Sequence, residues 1–437
     1  MESVRRRVGR TASVVSDSLQ RRHRPDYQII LFIGLLMLFG LVIMYAIGPQ
    51  RANVLNSAYG TDFYTETYFV IKQSISLVLS VAVFMLMATV PFAIIKSHAG
   101  RLVWIGFALA VLLFITGNVL HIDSVAKCSL GACRWFNLGP LGSFQPAEAL
   151  KFAVLIFLAS FLGMRSQQGK IDDMERTIIP AVSLVGAALF FVVILQKDMG
   201  TGIALSAIAL TMFLVSGMKW KIIAKIVAVA AVLGILMIVT SPHRMERVGT
   251  FFQGDSAGES VQDDNNYHIK NAKIALGTGG FLGLGIGNSV QATGYLPEAI
   301  NDSVFAIIGE TFGFIGVTLI LVLFTALLIR LLKISDHLPD MSMRLAVAGI
   351  FGWLAAHIIL NVASMIGVFP LTGITLPLLS FGGTSMLFIA GALGLAFQLS
   401  RYTSHGQATK ETGYEDSSSR RRVGGSRNSS RRRTTRN

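Results

Sequence analysis

Ten blocks of roughly 20 apolar residues run through the chain, at about 28–47, 69–90, 102–121, 146–164, 178–195, 199–217, 221–240, 303–332, 345–366 and 384–401. A backbone amide inside a bilayer finds no water, so each crossing has to satisfy its own hydrogen bonds as a helix of that length. The apolar residues fill whole blocks and do not recur as the one-sided stripes of a soluble helix. With 52% hydrophobic and only 14% charged residues, the expected fold class is an all-α polytopic membrane protein with about ten transmembrane helices. The first block lies behind a polar, Arg-bearing stretch, is longer than a signal-peptide core and has no small-residue cleavage site, so it reads as a retained first span. Blocks 178–195 and 199–217 are separated only by Gln196, Lys197 and Asp198, which fits a tight or re-entrant hairpin.

The position of the charge sets the orientation. Residues 1–26 carry seven Arg against three acids, and residues 403–437 carry eight Arg and one Lys against three acids, so the tails hold +10 of the formal +14. Such tails beside membrane spans fit cytoplasmic retention and attraction to anionic lipid. The alternative, a nucleic-acid role for Arg420–Arg422 and Arg431–Arg433, lacks interleaved aromatic residues. The Ser/Arg/Gly composition after Tyr414 predicts disorder. With both termini cytoplasmic, Lys96/Arg101, Arg165/Lys170/Arg176, Lys219/Lys221 and Arg330/Lys333/Arg344 all fall inside, as the positive-inside rule requires. Three domains follow: a basic tail at 1–26, a membrane domain at 27–402 and a disordered basic tail at 403–437.

The opposite face then carries residues 122–145, the turn at 196–198 and a large outer loop of about 241–302 between helices seven and eight. Its segment Ala275–Gly287 alternates Gly with Leu, Ile and Phe, the pattern of a close-packed backbone dipping onto the membrane domain. That Gly-rich run has neither Walker spacing nor a preceding strand, so nucleotide chemistry is excluded. No HExxH motif is present, and His121, His243 and His268 lie far apart in sequence. Cys128 and Cys133 are the only cysteines. An oxidising exterior would permit a small disulfide ring with Gly131 easing the turn, against the alternative of two free thiols.

Ionisable groups at membrane boundaries are costly and mark function. They form four clusters. Arg134-Trp-Phe precedes Phe144-Gln-Pro-Ala-Glu-Ala-Leu-Lys151, where Pro146 suits a first helical turn and Glu148 and Lys151 are i,i+3 on one face. Gln196-Lys-Asp-Met-Gly-Thr201 offers Asp198 as a helix cap and Lys197 as an outward cation. Arg244 and Arg247 stand one turn apart and would either clamp a phosphate or snorkel to headgroups. Tyr295-Leu-Pro-Glu-Ala-Ile-Asn-Asp-Ser303 leads into a span: Asp302 is either an N-cap or, if partly buried, an acid tuned towards a general base's range. Glu310, deeper in that span, reads as a structural hydrogen-bonding group. The uncharged stretch from Asn361 to Ser385 breaks its helix repeatedly at Gly and Pro, as is tolerated only where the backbone is shielded or lines a cavity.

In this order and on this side, the clusters resemble the SEDS family of FtsW/RodA-type cell-wall glycosyltransferases, from about Tyr27 to Arg401. The resemblance rests on Arg134-Trp with Phe144-Gln-Pro-x-Glu-x-x-Lys151, Gln196-x-Asp-x-Gly-Thr201, Gly287-Asn-Ser-Val-Gln291 with Tyr295-Leu-Pro-Glu-Ala299, and Pro370-Leu-Thr-Gly-Ile-x-Leu-Pro377 with Ser380-Phe-Gly-Gly383. The Gly-Asn-Ser-Val-Gln run looks closer to the division branch than to the elongation branch. The resemblance implies inverting polymerisation of lipid II, the undecaprenyl-pyrophosphate disaccharide-peptide, on the outer face of a bacterial cytoplasmic membrane. It implies a class B penicillin-binding transpeptidase and division proteins as partners, and no nucleic acid. Carried over by position, Asp302 is the essential acid, with Glu148 and Lys151 beside it. Arg134, Lys197, Asp198, Arg244, Arg247, Glu298 and Ser380 are candidate substrate-binding residues, and a divalent cation (Mg or Mn) bridging Asp302 and pyrophosphate is a further expectation. The chain departs from the family pattern at Ile300-Asn301, where His-Thr is common, and at Ala147, Lys197 and Ala292. Two other readings remain open: a lipid II flippase and a non-catalytic division scaffold.

Overall fold

A computed structural model describes residues 24–404 except 130–131, 140–141, 241–244, 246–248 and 250–263. Among the described residues, nine helices are long and apolar enough to cross a membrane: α1 Tyr27–Tyr59, α2 Tyr68–Thr89, α4 Ala99–Val119, α5 Pro146–Gln167, α6 Met174–Leu195, α8 Trp220–Val239, α10 Val304–His337, α11 Met341–Met365 and α12 Gly383–Tyr402. The tenth expected span is the shorter apolar helix α7, Met199–Val215. Two further helices connect spans or cover the bundle, α3 at Phe92–Ser97 and α9 at Asp264–Thr278. The tails at 1–23 and 405–437, Arg244 and Arg247 lie outside the described residues.

Sequence signals set several helix ends. Asp26 accepts the Gln28 N–H at the start of α1, and Gly60 ends that helix at φ 62°. α1 thus runs about three turns beyond the expected end near residue 47. Pro146 occupies the first turn of α5, where its missing N–H costs nothing. Asp198 caps α7, accepting from Thr201 N at 3.0 Å, and Asp340 caps α11, accepting from Met343 N at 3.0 Å. Small residues let helices close on one another, as at Gly163, where a Cβ would come within 2.8 Å of the Ser342 backbone. The buried core runs through α5, α7, α11 and α12, whereas α8 buries only Ile223.

The contacts separate into two ends, as alternating crossings require. At one end Arg330 pairs with Asp26 at 2.5 Å, Lys96 donates to Ser342 at 2.8 Å, and Lys219 pairs with Asp172 at 3.6 Å. Lys96, Lys219 and Arg330 are among the cations that the sequence assigns to one face. At the other end residues 122–145 form a feature that hydropathy did not foresee, a small antiparallel sheet in the order β1-β2-β3, with β1 Ala126–Ser129, β2 Ala132–Asn137 and β3 Ser143–Phe144. Cys128 and Cys133 face each other across β1 and β2 and are bonded. The bridge sits on Gly117 of α4, where a Cβ would lie 2.6 Å from the Cys133 Cβ.

The Gly-rich run does dip onto the membrane domain. α10 is broken at Gly313, at φ 64° and ψ −162°. The polar groups freed by the break are taken up by the run: Leu284 N donates to Glu310 O at 2.9 Å, Gly285 N to Thr311 O at 3.0 Å, and Phe314 N to Gly280 O at 2.9 Å. A side chain at Gly283 would collide with the Thr311 carbonyl. Here glycine is required by the approach of two backbones.

Candidate active site

The first charged pair starts α5. Glu148 and Lys151 are 2.8 Å apart and only 3% and 0% exposed. The i,i+3 spacing brings the two charges together, and their burial means that a lone charge left there would carry an uncompensated desolvation cost. Lys151 Nζ also lies 4.8 Å from the ring centroid of Trp353 and 3.3 Å from His357 Nε2. His357 Nε2 accepts from Trp353 Nε1 at 3.2 Å, and its Nδ1 faces the Thr375 carbonyl at 3.3 Å. The tautomer with its proton on Nδ1 donates to Thr375 and accepts from Trp353.

The acidic turn starts α10. Asp302 is 9% exposed. Burial, and then the nearby charge of Glu298, push its carboxyl up to about 7 despite opposing backbone hydrogen bonds. One helical turn from His357, Asn361 donates to the Asp302 and Ile374 carbonyls, both at 2.7 Å. Gly373 lies against Asp302, an ideal Cβ there being 4.0 Å from Oδ2. His357 and Asn361 therefore hold adjacent carbonyls of the broken 370–380 segment while facing Lys151 and Asp302 respectively. One face of α11 joins the two acid-bearing helix starts across roughly 6 Å of helix rise.

The 196–198 turn closes another side. Arg134 donates to the Gln196 carbonyl at 3.2 Å and the Lys197 carbonyl at 2.8 Å. Lys197 takes φ 53°, a conformation that Arg134 helps hold. Asp198 accepts from Gln145 Nε2 at 3.0 Å and Thr201 Oγ1 at 2.8 Å as well as capping α7. Gly200, two residues on, abuts Ile374 and the Thr372 carbonyl, which brings the α7 start to the segment beside Asp302. Ser380 is buried and accepts from Leu376 N at 2.8 Å, shaping that segment. Thr384, at the start of α12, donates to the Ser143 carbonyl at 2.7 Å.

Glu298 takes φ 50° and accepts from the side chain of Asn301, while Ile300 is buried and its carbonyl takes the Phe381 N–H at 2.8 Å. Ile300 is thus a packing residue and Asn301 attends Glu298. Glu310 binds the Ser289 hydroxyl at 2.5 Å and the Val290 N–H at 2.9 Å, which fixes the outer loop and not a neighbouring helix. His268 of α9 is buried, with Nε2 2.5 Å from Ser303 Oγ. Burial holds it down at about 4, against the raising charge of Glu298.

Glu148 Oε2, Asp302 Oδ1 and Asn361 Oδ1 are buried without a hydrogen-bond partner among the described residues. Such acceptors are suited to a donor brought by a ligand. No three His, Cys, Asp or Glu side chains gather into a metal-holding group among the described residues. His357 and Asn361 were missed as site residues. Their signal was two polar side chains four apart within an apolar span.

The sequence matches the family model described as a cell cycle protein, FtsW/RodA/SpoVE, over residues 27–405. Stage V sporulation protein E of Bacillus subtilis is 30% identical, the match covering 88% of this chain and 99% of that protein. The chain belongs to the FtsW/RodA/SpoVE family. A probable peptidoglycan glycosyltransferase FtsW of the same organism is also 30% identical, over 88% of this chain and 93% of that protein. Solved structures share the fold. A chain of a peptidoglycan synthase complex aligns with a TM-score of 0.64 at 24% identity, covering 86% of this chain and 98% of that one. Rod shape determining protein RodA of Thermus thermophilus aligns at 0.57 and 22%, covering 86% and 97%. This SEDS membership agrees with the motif order, and the all-α polytopic architecture is that of the family.

Proposed function

We propose that this protein polymerises lipid II into glycan strands at the outer face of the cytoplasmic membrane. The observation that carries the reading is Asp302, a buried acid with a proton affinity near neutrality, joined through Asn361 to the segment that also meets the Lys151–Glu148 pair. Related proteins named as probable peptidoglycan glycosyltransferases FtsW support the same chemistry.

In the proposed step a sugar hydroxyl of one substrate attacks the anomeric carbon of another. The new C–O bond forms as the bond to pyrophosphate breaks, the electron pair leaves with pyrophosphate, and Asp302 takes the hydroxyl proton. A single displacement inverts the anomeric centre. A carboxyl near 7 is matched to that role, being ionised often enough to accept and basic enough to pull. Lys151 supplies a fixed positive charge whose burial is compensated by Glu148. Lys197, on a turn that Arg134 ties down, is a candidate cation for the leaving pyrophosphate, with Arg244 and Arg247 as further candidates. Mg or Mn, if used, would be held by Asp302 together with pyrophosphate and would supply charge neutralisation.

The cation-rich end supports cytoplasmic termini, and the relatives named FtsW support a role in division. The fold-similar protein solved in a complex coordinating polymerisation and crosslinking supports a class B transpeptidase as partner. The test is polymerisation of lipid II by the purified protein, with and without transpeptidase and divalent cation. Transbilayer movement of labelled lipid without polymer would favour a flippase instead.

A further inference from the structure

The turn bearing Glu298 and Asp302 is held from outside. Ser303 stands at the N-cap of α10 yet makes no side-chain cap bond, although a serine there ordinarily accepts an N–H of the first turn. Its hydroxyl instead donates back to the Pro297 carbonyl at 2.7 Å, closing the turn from its far end. That donation leaves the Ser303 oxygen as an acceptor for His268 Nε2, 2.5 Å away on α9. Both side chains are buried, at 0% and 8% exposure. Within the turn the Glu298 carbonyl takes the N–H groups of Asn301 at 2.9 Å and Ser303 at 3.2 Å. Glu298 itself sits at φ 50°, a strained conformation for a residue with a side chain, which persists only when its surroundings over-determine it.

We infer that His268 is a positioning residue for the acidic turn: by donating Nε2–H to Ser303 it holds residues 297–303 shut, keeping Glu298 in its left-handed conformation and Asp302 at the mouth of α10. The outer-loop helix α9 thereby sets the geometry of an acid it does not itself carry. The consequence for catalysis rests on the proposed polymerase reading; the lock on the turn does not.

The experiment compares His268→Leu, which removes the donor, with His268→Gln, which retains an N–H, and with Ser303→Ala and the Leu/Ala double variant. On purified protein with lipid II, His268→Leu and Ser303→Ala should each lower kcat by about tenfold to a hundredfold with little change in KM, as misplacing a reacting group does. His268→Gln should recover most of the loss, and the double variant should be no worse than Ser303→Ala alone, which also loses the bond to Pro297. Amide hydrogen exchange across 297–306, read on the same proteins, should quicken in His268→Leu and not in His268→Gln. Parental kcat and parental exchange in His268→Leu, or fully additive losses in the double variant, would overturn the inference. If the parent itself fails to polymerise, the functional reading falls, and exchange at 297–306 alone decides whether the lock exists.

Discussion

If Asp302 is the base, polymerisation must rise with pH along the ionisation of a carboxyl near 7. Burial is the larger cause of that elevation and Glu298 the next. About a tenth of the carboxyl is ionised at pH 6 and about a hundredth at pH 5, so kcat/KM should fall roughly tenfold per unit below neutrality. Replacing Glu298 by Gln removes the raising charge and should slide this acid limb to lower pH, leaving the burial contribution in place. Initial rates of glycan formation from lipid II between pH 5 and 8.5, on parent and Glu298→Gln, test both statements. An acid limb unmoved by the substitution, or a flat profile down to pH 5, would refute the assignment. The same shift has a consequence for stability. A carboxyl whose folded value lies above its unfolded one favours folding at low pH, and that contribution is lost as pH rises through about 7. Asp302→Asn should therefore melt above the parent at pH 8 although it makes no polymer, the signature of a site held against its own stability.

Lys151→Met should cost about 3–5 kcal/mol by leaving Glu148 buried and unpaired, whereas the double change Lys151→Met with Glu148→Gln should regain most of the melting temperature without regaining activity. Asn361→Leu strips donors from the buried Asp302 and Ile374 carbonyls and should cost about 1–3 kcal/mol for each acceptor left unsatisfied, read by thermal melting in detergent. Alkylation of the folded, non-reduced protein should label neither Cys128 nor Cys133; labelling of both would contradict the bridge.

The spans were legible because an apolar block of bilayer length has few other fates, and the ten blocks correspond to ten helices. What hydropathy could not give was the outer architecture. The β1–β2 hairpin depends on strand pairing and a cysteine bridge over Gly117, contacts between residues that no local window joins. Nor could it show that α1 continues to Tyr59, since that last stretch is polar and outside any apolar block. At the site, Asp302, Glu148 and Lys151 stood out as charges at span ends, while the depth of the ion pair did not: burial comes from Trp353 and His357 on a helix some 200 residues away. In the sequence His268 lies far from the other external histidines and forms no metal motif with them; Ser303 reaches it only through the folded outer loop. The break at Gly313 lies inside an apolar block and carries no local signal, because the Gly280–Gly285 backbone that fills it is distant in sequence.

The most direct test is a comparison of parent and Asp302→Asn in the polymerisation of purified lipid II at pH 8, with both proteins shown to be folded by their melting curves. The account predicts glycan strands from the parent and none from the variant, which melts at the higher temperature. Strands of equal yield from the two would contradict it.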